Sequence, residues 1–140
     1  MTFQLYGNLG SGNCLKVKLI ADATGTPFVL HEIASRSGQT GTPEFLKLNP
    51  AGQMPVVVLD DGRPLAQSNA ILRYLARGSR FLPADRYDAA KIDEWLFWEQ
   101  YSHEPNIAVR RALSVYPERA AEATSFGEHA DRARAGLGVN

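Results

Sequence analysis

Residues 49–68 read NPAGQMPVVVLDDGRPLAQS and decide the fold predicted for the first half of the chain. The run Val56–Leu59 is apolar without interruption, which predicts a strand that is buried on both faces of a sheet. The triplet Asp60–Gly62 is typical of a tight hairpin turn, so Arg63–Ala66 is the return strand. Its proline, Pro64, lacks an N–H donor, which indicates an edge strand or the start of a strand.

The chain before this hairpin carries the pattern of a β-α-β unit. Alternation from Phe3 predicts a first strand, and apolar residues at helical spacing from Leu15 to Ala23 predict a helix. Gly25–Pro27 ends that helix, and Phe28–Ile33 is rich in strand-forming residues. Two strands joined by a helix in this way pair in parallel.

Two further helices are predicted beside the hairpin. Pro43–Leu48 forms one or two helical turns, with proline at the first position, where its missing N–H is tolerated. After the hairpin, Ser68 is expected to cap a helix that reaches Leu75. The element order βαβ, helix, ββα defines an α/β domain, which we assign to residues 1–82.

Residues 83–140 are expected to form a second, helical domain. A linker at Arg77–Asp85 precedes a predicted helix at Tyr87–His103, which Glu104–Asn106 interrupts. The apolar residues of this helix occupy more than one stripe, which predicts burial on two sides or a position at a subunit contact. From Pro117 onward large apolar residues are sparse, so this tail is either a surface helix or frayed chain.

Composition narrows the function classes. The 15 basic and 15 acidic residues cancel, so no net field attracts nucleic acid or an anionic membrane. We see no signal peptide and no stretch near the ~20 apolar residues of a bilayer span. The single cysteine, Cys14, cannot form an internal disulfide, and we expect a cytoplasmic protein. His31, His103 and His129 show no metal-ligand spacing, so no metal site is predicted.

The loop Gly7–Cys14 lies between a strand and a helix N-terminus, an arrangement that binds anions through backbone N–H groups and the helix dipole. One interpretation is dinucleotide binding. Gly10 and Gly12 match the first two glycines of that fingerprint, and Glu32 follows about 20 residues later. Leu15 occupies the third glycine position, however, and only one β-α-β unit is predicted, so we set this interpretation aside.

A second interpretation of the loop starts from Ser11–Cys14, which has the spacing of a Cys-x-x-Cys redox motif with serine in the first position. A serine hydroxyl there can donate a hydrogen bond to the thiolate of a ligand, and the helix dipole favours the charged sulfur. The alternative is that Ser11 and Asn13 only cap the helix. The loop by itself does not separate these two hypotheses.

Two other residue pairs, Met54–Pro55 and Gln67–Ser68, indicate an extended peptide ligand. A proline before a buried strand is well placed for a cis bond, and a cis Met54–Pro55 step turns the Met54 N–H and C=O away from the sheet, where a peptide can pair with them. An ordinary trans turn is the alternative. At the following helix, Ser68 can bind a carboxylate and Gln67 an ammonium or a carboxylate, which matches a γ-glutamyl group. Capping alone is the alternative there.

Taken together, these motifs resemble the N-terminal domain of a glutathione transferase of the bacterial cytosolic type. The motifs that carry the resemblance are Tyr6, Ser11-x-Asn13-Cys14, Pro43-Glu44-Phe45-Leu46, Asn49-Pro50-x-Gly52-Gln53-x-Pro55, Asp61-Gly62 and Gln67-Ser68-x-Ala70-Ile71-x-x-Tyr74-Leu75. The resemblance covers residues 1–82 and continues into the helix Tyr87–His103. It implies a thioredoxin-like fold followed by a partial all-helical domain.

The resemblance also implies contacts to glutathione as co-substrate. Gln53 and the cis step Met54–Pro55 would hold the cysteinyl backbone. Gln67 and Ser68 would hold the γ-glutamyl end, and Gln39 would contact the glycine carboxylate.

The resemblance assigns the chemistry to the first loop. Ser11 matches the activating serine or threonine of several classes, and Asn13 matches a supporting asparagine. Tyr6 lies near the activating tyrosine of other classes, but Gly7–Asn8 does not match their pattern, so we predict a packing role for it. Cys14 resembles the cysteine of the bacterial cysteine class if the preceding loop has extra residues. A mixed disulfide with glutathione and an unreactive buried thiol both remain open there.

The function implied is conjugation of glutathione to small hydrophobic electrophiles, as in detoxification, by a homodimer. Glutathione-dependent reduction of disulfides or peroxides is one alternative, and a non-catalytic binding module is another. Trp95 and Trp98 are candidates for an electrophile pocket, but we expect them in a core or a dimer contact. The family's later Ser/Thr-x-x-Asp capping box has no match here. We therefore expect a truncated or frame-altered gene product that keeps its glutathione site better than its electrophile pocket.

Overall fold

The computed structural model describes residues 2–115. The chain divides into two compact units between Pro83 and Ala84, next to the boundary expected from the sequence. The first unit consists of β1 (Phe3–Gly7), α1 (Gly12–Thr24), β2 (Phe28–Glu32), α2 (Pro43–Leu48), β3 (Val56–Leu59), β4 (Pro64–Ala66) and α3 (Ser68–Ala76). The predictions for the tail after Pro117, and for His129, lie outside the described residues.

The four strands form one sheet in the order β2-β1-β3-β4. Strands β1 and β2 pair in parallel, and α1 connects them. Strand β3 runs antiparallel to β1, and the hairpin partner β4 forms the edge. The predicted order βαβ, helix, ββα is confirmed, and the fold is thioredoxin-like. Pro64 opens the edge strand, as expected, because an edge strand tolerates the missing N–H.

Strand β3 is buried on both faces, as its sequence predicts. On one face Val57 and Leu59 belong to a core that joins the sheet to α1 and α3. That core consists of Phe3, Leu5, Val17, Ala21, Val57, Leu59, Ile71 and Leu75. Val56 packs instead with Ile33 and with Phe45 of α2. Since each fully buried Val, Leu or Phe side chain contributes about 1.5–3 kcal/mol, the two clusters fix the sheet between its helices.

The register of the sheet brings three chain segments together at one end of the strands. Tyr6 lies opposite Val56, and Val56 lies opposite Ala66 on its other side. The end of β1, the start of β3 and the end of β4 therefore meet. Helix α1 begins shortly after the end of β1, and α3 begins shortly after the end of β4. Their N-termini therefore lie at the same end of the sheet.

Local signals set the ends of the helices. Gly25 ends α1 in the left-handed conformation, with φ 65°, which confirms the predicted stop. The hydroxyl of Thr42 accepts the Phe45 N–H at 3.3 Å and so caps α2. Pro43 occupies the first turn of that helix, as predicted.

The second unit, as far as residue 115, is a helical run with one change of pitch. Helix α4 (Arg86–Trp98) starts at Asp85, whose carboxylate accepts the N–H groups of Tyr87 and Asp88 at 2.9 and 3.0 Å. A π-helical turn (Glu99–His103) follows, and α5 (Glu104–Val115) continues from it. No helix within residues 2–115 has both the length and the apolar character needed to cross a membrane.

The predicted interruption at Glu104–Asn106 is wrong, because these residues are helical. Inside an α-helix, Pro105 would lack the N–H for one hydrogen bond, and its ring would clash with the carbonyl four residues earlier. The wider π turn ends at His103, two residues before this proline. It changes the hydrogen-bond spacing at this point, which allows the helix to pass the proline instead of stopping.

The expected burial of α4 on two sides is also wrong. Trp95 is 60% exposed and Phe97 is 74% exposed, and no residue of α4 is buried. Trp95 meets Trp98 edge to face, with ring centroids 5.5 Å apart, but the pair lies outside a core. The physical reason is that a helix buries only the faces that neighbouring elements cover. The alternative, a subunit contact, stays a prediction.

Gly7 is a position at which the fold leaves no room for a side chain. A Cβ at Gly7 would lie 2.7 Å from Sγ of Cys14, and Cys14 is fully buried. We therefore expect Gly7→Ala to lower the free energy of unfolding by about 1–3 kcal/mol, measured by urea denaturation.

Gly12→Ala is the matched control, because nothing lies within 4 Å of a Cβ at Gly12. Its effect should stay within about 0.5 kcal/mol. In a Cys14→Ala background the Gly7→Ala change should become less costly, because the sulfur is gone. Equal effects of Gly7→Ala in both backgrounds would contradict this account of the packing.

Candidate functional site

The candidate site lies at the end of the sheet where strand β3 begins. The Met54–Pro55 bond is cis, as predicted, and Pro55 is buried while Met54 is half-buried. Within residues 2–115, the N–H and C=O of Met54 take part in no hydrogen bond. A backbone donor and acceptor on one residue that has no partner in the sheet can pair with an extended peptide.

The turn before Met54 is held by Asn49, a residue to which the sequence assigned no specific contact. Asn49 is 6% exposed. Its side-chain N–H donates to the Gln53 carbonyl at 2.7 Å, and its Oδ1 accepts the Ala51 N–H at 3.1 Å. Gly52 adopts φ 62°, and a Cβ there would lie 3.2 Å from the Thr40 carbonyl. These contacts fix the backbone that leads into the site.

The second segment of the site is the start of α3. Gln67 has φ 69° and ψ 110° and takes the N-cap position, so Ser68 is the first helical residue. The expectation that Ser68 caps α3 is therefore wrong, because the left-handed turn at Gln67 already begins the helix. A non-glycine residue with positive φ is uncommon and is frequent at binding sites. The turn leaves the Gln67 side chain exposed beside the N-terminus of α3.

A hydrogen bond joins this segment to the first loop. The Ser68 hydroxyl donates to Oδ1 of Asn13 at 3.1 Å, and Ser68 is 5% exposed. Asn13 lies in the first turn of α1. This contact, which we name the Asn13–Ser68 bridge, therefore connects the N-termini of α1 and α3.

Ser11 has an extended backbone at the N-cap of α1, but its side chain makes no capping hydrogen bond. The Ser11 side chain lies toward the Cys14 thiol, where it acts to lower the pKa of that group. The interpretation that Ser11 only caps the helix is therefore not supported by its side chain. The residue is half-buried, so its hydroxyl lies at the border of the site.

Cys14 lies behind this loop and is fully buried against Gly7. Burial raises the pKa of the Cys14 thiol above its usual value, while hydrogen bonds with the Asn8 backbone and the Ser11 side chain act in the opposite direction. A neutral, inaccessible thiol is a poor nucleophile. Of the two possibilities left open by the sequence, the geometry favours the unreactive buried thiol.

Tyr6 and Gln39 lie beside the site. The ring of Tyr6 stacks on His31 with centroids 4.5 Å apart, which agrees with the packing role predicted for it. Gln39 begins a short 3-10 turn, and its Oε1 accepts from the Ala34 N–H at 3.0 Å and the Ser37 hydroxyl at 2.8 Å. Its side chain is anchored and exposed, so a ligand can reach it.

The site is built without a cluster of metal ligands in the described part of the chain, since residues 2–115 contain no group of three His, Cys, Asp or Glu that could hold a metal ion. The register brings together the first loop, the Met54–Pro55 step and the start of α3. These segments contain Ser11, Asn13, Met54, Pro55, Gln67 and Ser68. Gln53 and Gln39 lie on the adjoining turns, in which Gly52 packs against the Thr40 carbonyl.

Comparisons with known proteins give the family. Residues 1–77 match the model of the glutathione S-transferase N-terminal domain. Glutathione S-transferase 3 of Zea mays is 36% identical over 129 residues, which cover 84% of this chain and 57% of that protein. Elongation factor 1-gamma of Prunus avium is 32% identical over 110 residues, which cover 76% of this chain and 26% of that protein.

A solved glutathione S-transferase from Xanthobacter autotrophicus has the same fold, with a TM-score of 0.88 at 43% identity. The superposition covers 96% of this chain and 66% of the other. This chain therefore spans only part of the length of these relatives. Since the family model covers more than half of the residues, the chain belongs to the glutathione S-transferase family.

Proposed function

We propose that this chain binds glutathione at the end of the sheet formed by Met54–Pro55 and the start of α3. We further propose that it joins glutathione, through its sulfur, to a small hydrophobic electrophile. The observation that carries the proposal is the position of Met54, whose backbone N–H and C=O are unpaired within residues 2–115. The N-termini of α1 and α3 lie at the same end of the sheet. An extended peptide with a central thiol and terminal carboxylates matches this combination of groups.

In this proposal the ligand lies across the three segments. Its cysteinyl N–H and C=O pair with Met54, next to Gln53. Its γ-glutamyl group lies at the start of α3, beside Gln67 and Ser68, where the unpaired N–H groups of a helix N-terminus favour a carboxylate. Its glycine carboxylate reaches the amide of Gln39.

Ser11 supplies the activation in this proposal. A free thiol has a pKa of about 8.5, so little thiolate exists at pH 7. A hydrogen bond from the Ser11 hydroxyl and the N-terminus of α1 both favour the charged sulfur and lower that pKa. The thiolate attacks an electrophilic carbon and forms the S–C bond, while the displaced electron pair leaves with the leaving group.

A non-catalytic binding module is the second candidate. It is supported by the similarity to elongation factor 1-gamma, a protein whose name does not describe a transferase. Reduction through a mixed disulfide at Cys14 is less well supported, because that sulfur is fully buried.

We also propose a cytoplasmic homodimer that uses the exposed aromatic side chains of the second unit. Trp95, Phe97 and Tyr101 are 60%, 74% and 85% exposed. Large apolar side chains with this much exposure are typical of surfaces that another protein covers. The unpaired thiol of Cys14 is compatible with a reducing compartment.

Retention on immobilised glutathione tests the binding half of the proposal. We expect the chain to bind the resin and to elute with free glutathione or with S-methylglutathione, because both carry the complete peptide backbone. Cysteinylglycine at the same concentration is the control and should elute far less protein, since it lacks the γ-glutamyl group. A chain that is folded by circular dichroism and is not retained would show that the proposal is wrong.

Ser11→Ala tests the catalytic half. We expect kcat/KM for conjugation of an aryl halide to fall about 10²- to 10³-fold, as when one donor to a developing or stabilised anion is removed. The Kd for glutathione should change by less than about 3-fold, because the backbone contacts remain. The thiolate absorbance of bound glutathione, followed against pH, should show its midpoint moved upward.

Ser79→Ala is the matched control for this experiment, because the Ser79 hydroxyl bonds the Ala76 carbonyl at the far end of α3. Its rate and pH midpoint should equal those of the unchanged chain. A Ser11→Ala variant with full activity, combined with an inactive Cys14→Ala variant, would transfer the chemistry from the serine to the cysteine.

The state of Cys14 can be tested independently by its pH dependence. Its pKa is raised in the folded protein, so the unfolded chain loses its proton first and folding stability falls as pH rises above about 8.5. This part of the loss should disappear in Cys14→Ala. Iodoacetamide and glutathione disulfide should modify Cys14 slowly at pH 7.4 and rapidly in urea, by mass spectrometry. Rapid modification of the native chain would favour the redox alternative.

A further inference from the structure

The Asn13–Ser68 bridge joins two residues to which the family resemblance assigns different tasks, which are support of the activating serine and binding of the γ-glutamyl end. The hydroxyl of Ser68 donates to Oδ1 of Asn13 at 3.1 Å, across 55 residues of sequence. A serine hydroxyl has one hydrogen and two acceptor lone pairs, so the Ser68 oxygen in this bond can only accept from a ligand. The Ser68 N–H, at the first position of α3, has no carbonyl within the helix and serves as the donor.

We propose that Asn13 is a positioning residue that acts through Ser68 on the γ-glutamyl end of glutathione, and that it does not act on the thiol. This inference rests on the proposed function. Asn13 orients the Ser68 hydroxyl so that its oxygen accepts from the ligand α-ammonium, while the Ser68 N–H donates to the α-carboxylate. Asn13 therefore has a different function from Ser11, which lies two residues earlier at the N-cap of α1.

Burial is the first reason for this assignment. Ser68 is 5% exposed, and a buried hydroxyl rarely stays without a partner because an unmade hydrogen bond is costly. Without the Asn13 oxygen, the Ser68 hydroxyl would turn toward another acceptor. The lone pairs that face the ligand would turn with it.

Charge is the second reason. An aspartate at position 13 would also accept from Ser68, and charge-assisted hydrogen bonds are stronger than neutral ones. A carboxylate there would, however, repel the γ-glutamyl carboxylate that is bound at the adjoining Ser68. An amide provides the acceptor without the charge, which explains how Asn13 can serve an anionic ligand.

Three variants test this assignment in calorimetry with glutathione. Asn13→Leu removes the acceptor at similar size, Ser68→Ala removes the donor, and the double variant closes a double-mutant cycle. We expect each single change to weaken glutathione binding by about 10-fold or more, as for a lost hydrogen bond to a charged group. The double variant should be hardly weaker than either single one. For cysteinylglycine, which lacks the γ-glutamyl group, the Asn13→Leu effect should shrink to less than about 2-fold.

The kinetics separate this role from a role at the thiol. In Asn13→Leu, KM for glutathione should rise with the Kd, while kcat at saturating glutathione and the pH midpoint of the bound thiol stay unchanged. A fall in kcat with an unchanged Kd, or a raised pH midpoint, would overturn the proposal and place Asn13 on the sulfur. Asn13→Asp should bind glutathione more weakly than the unchanged chain, although it retains an acceptor. Full affinity in Asn13→Asp would also count against the proposal.

Failure of the proposed function gives a different result. If the unchanged chain binds no glutathione, the function assigned above is wrong. The bridge is then tested by urea denaturation of the same four proteins. Coupling between positions 13 and 68 in the free energy of unfolding would confirm the positioning contact, and strictly additive effects would reject it.

Discussion

One constraint on strand β3 organises the site. Val56 pairs with Tyr6 on one side and with Ala66 on the other, and its side chain is fully buried with Phe45. A slip of one residue would exchange the side chains that face the two buried clusters. The register therefore fixes which residue precedes the strand and which follows its partner. Met54 and Gln67 meet at this end of the sheet because β3 and β4 pair in this alignment.

The sequence was sufficient for features that depend on local chemistry. The unbroken apolar run Val56–Leu59 identified a strand buried on both faces, and the Gly25 stop and Pro43 start depend on backbone geometry alone. The ordered set of motifs then identified the family, which the match over residues 1–77 supports. Within that family, the cis bond at Met54–Pro55 could be expected before the fold was known.

Other features depend on contacts between distant segments, which no local pattern encodes. The Asn13–Ser68 bridge spans 55 residues, and Asn13 and Ser68 had each seemed explicable as caps. The left-handed turn at Gln67 moved Ser68 into the helix and changed its role. Around Pro105 the usual breaker rule failed, because the rule assumes that a helix has one hydrogen-bond spacing. Burial of α4 failed for a related reason, since the number of apolar residues does not show what covers them.

The π turn also has a consequence for how this region tolerates insertions and deletions. A residue advances an α-helix by about 100°, and a π turn accommodates roughly one additional residue. Deleting a single residue within Glu99–His103 would convert the segment to regular helix and rotate every following side chain of α5 by that angle. An exposed side chain such as Arg110 would exchange its position with a neighbour's. The number of residues at this point therefore sets which side of α5 faces a given direction. Homologous chains that differ by one residue here should differ in that side even where their α5 sequences agree.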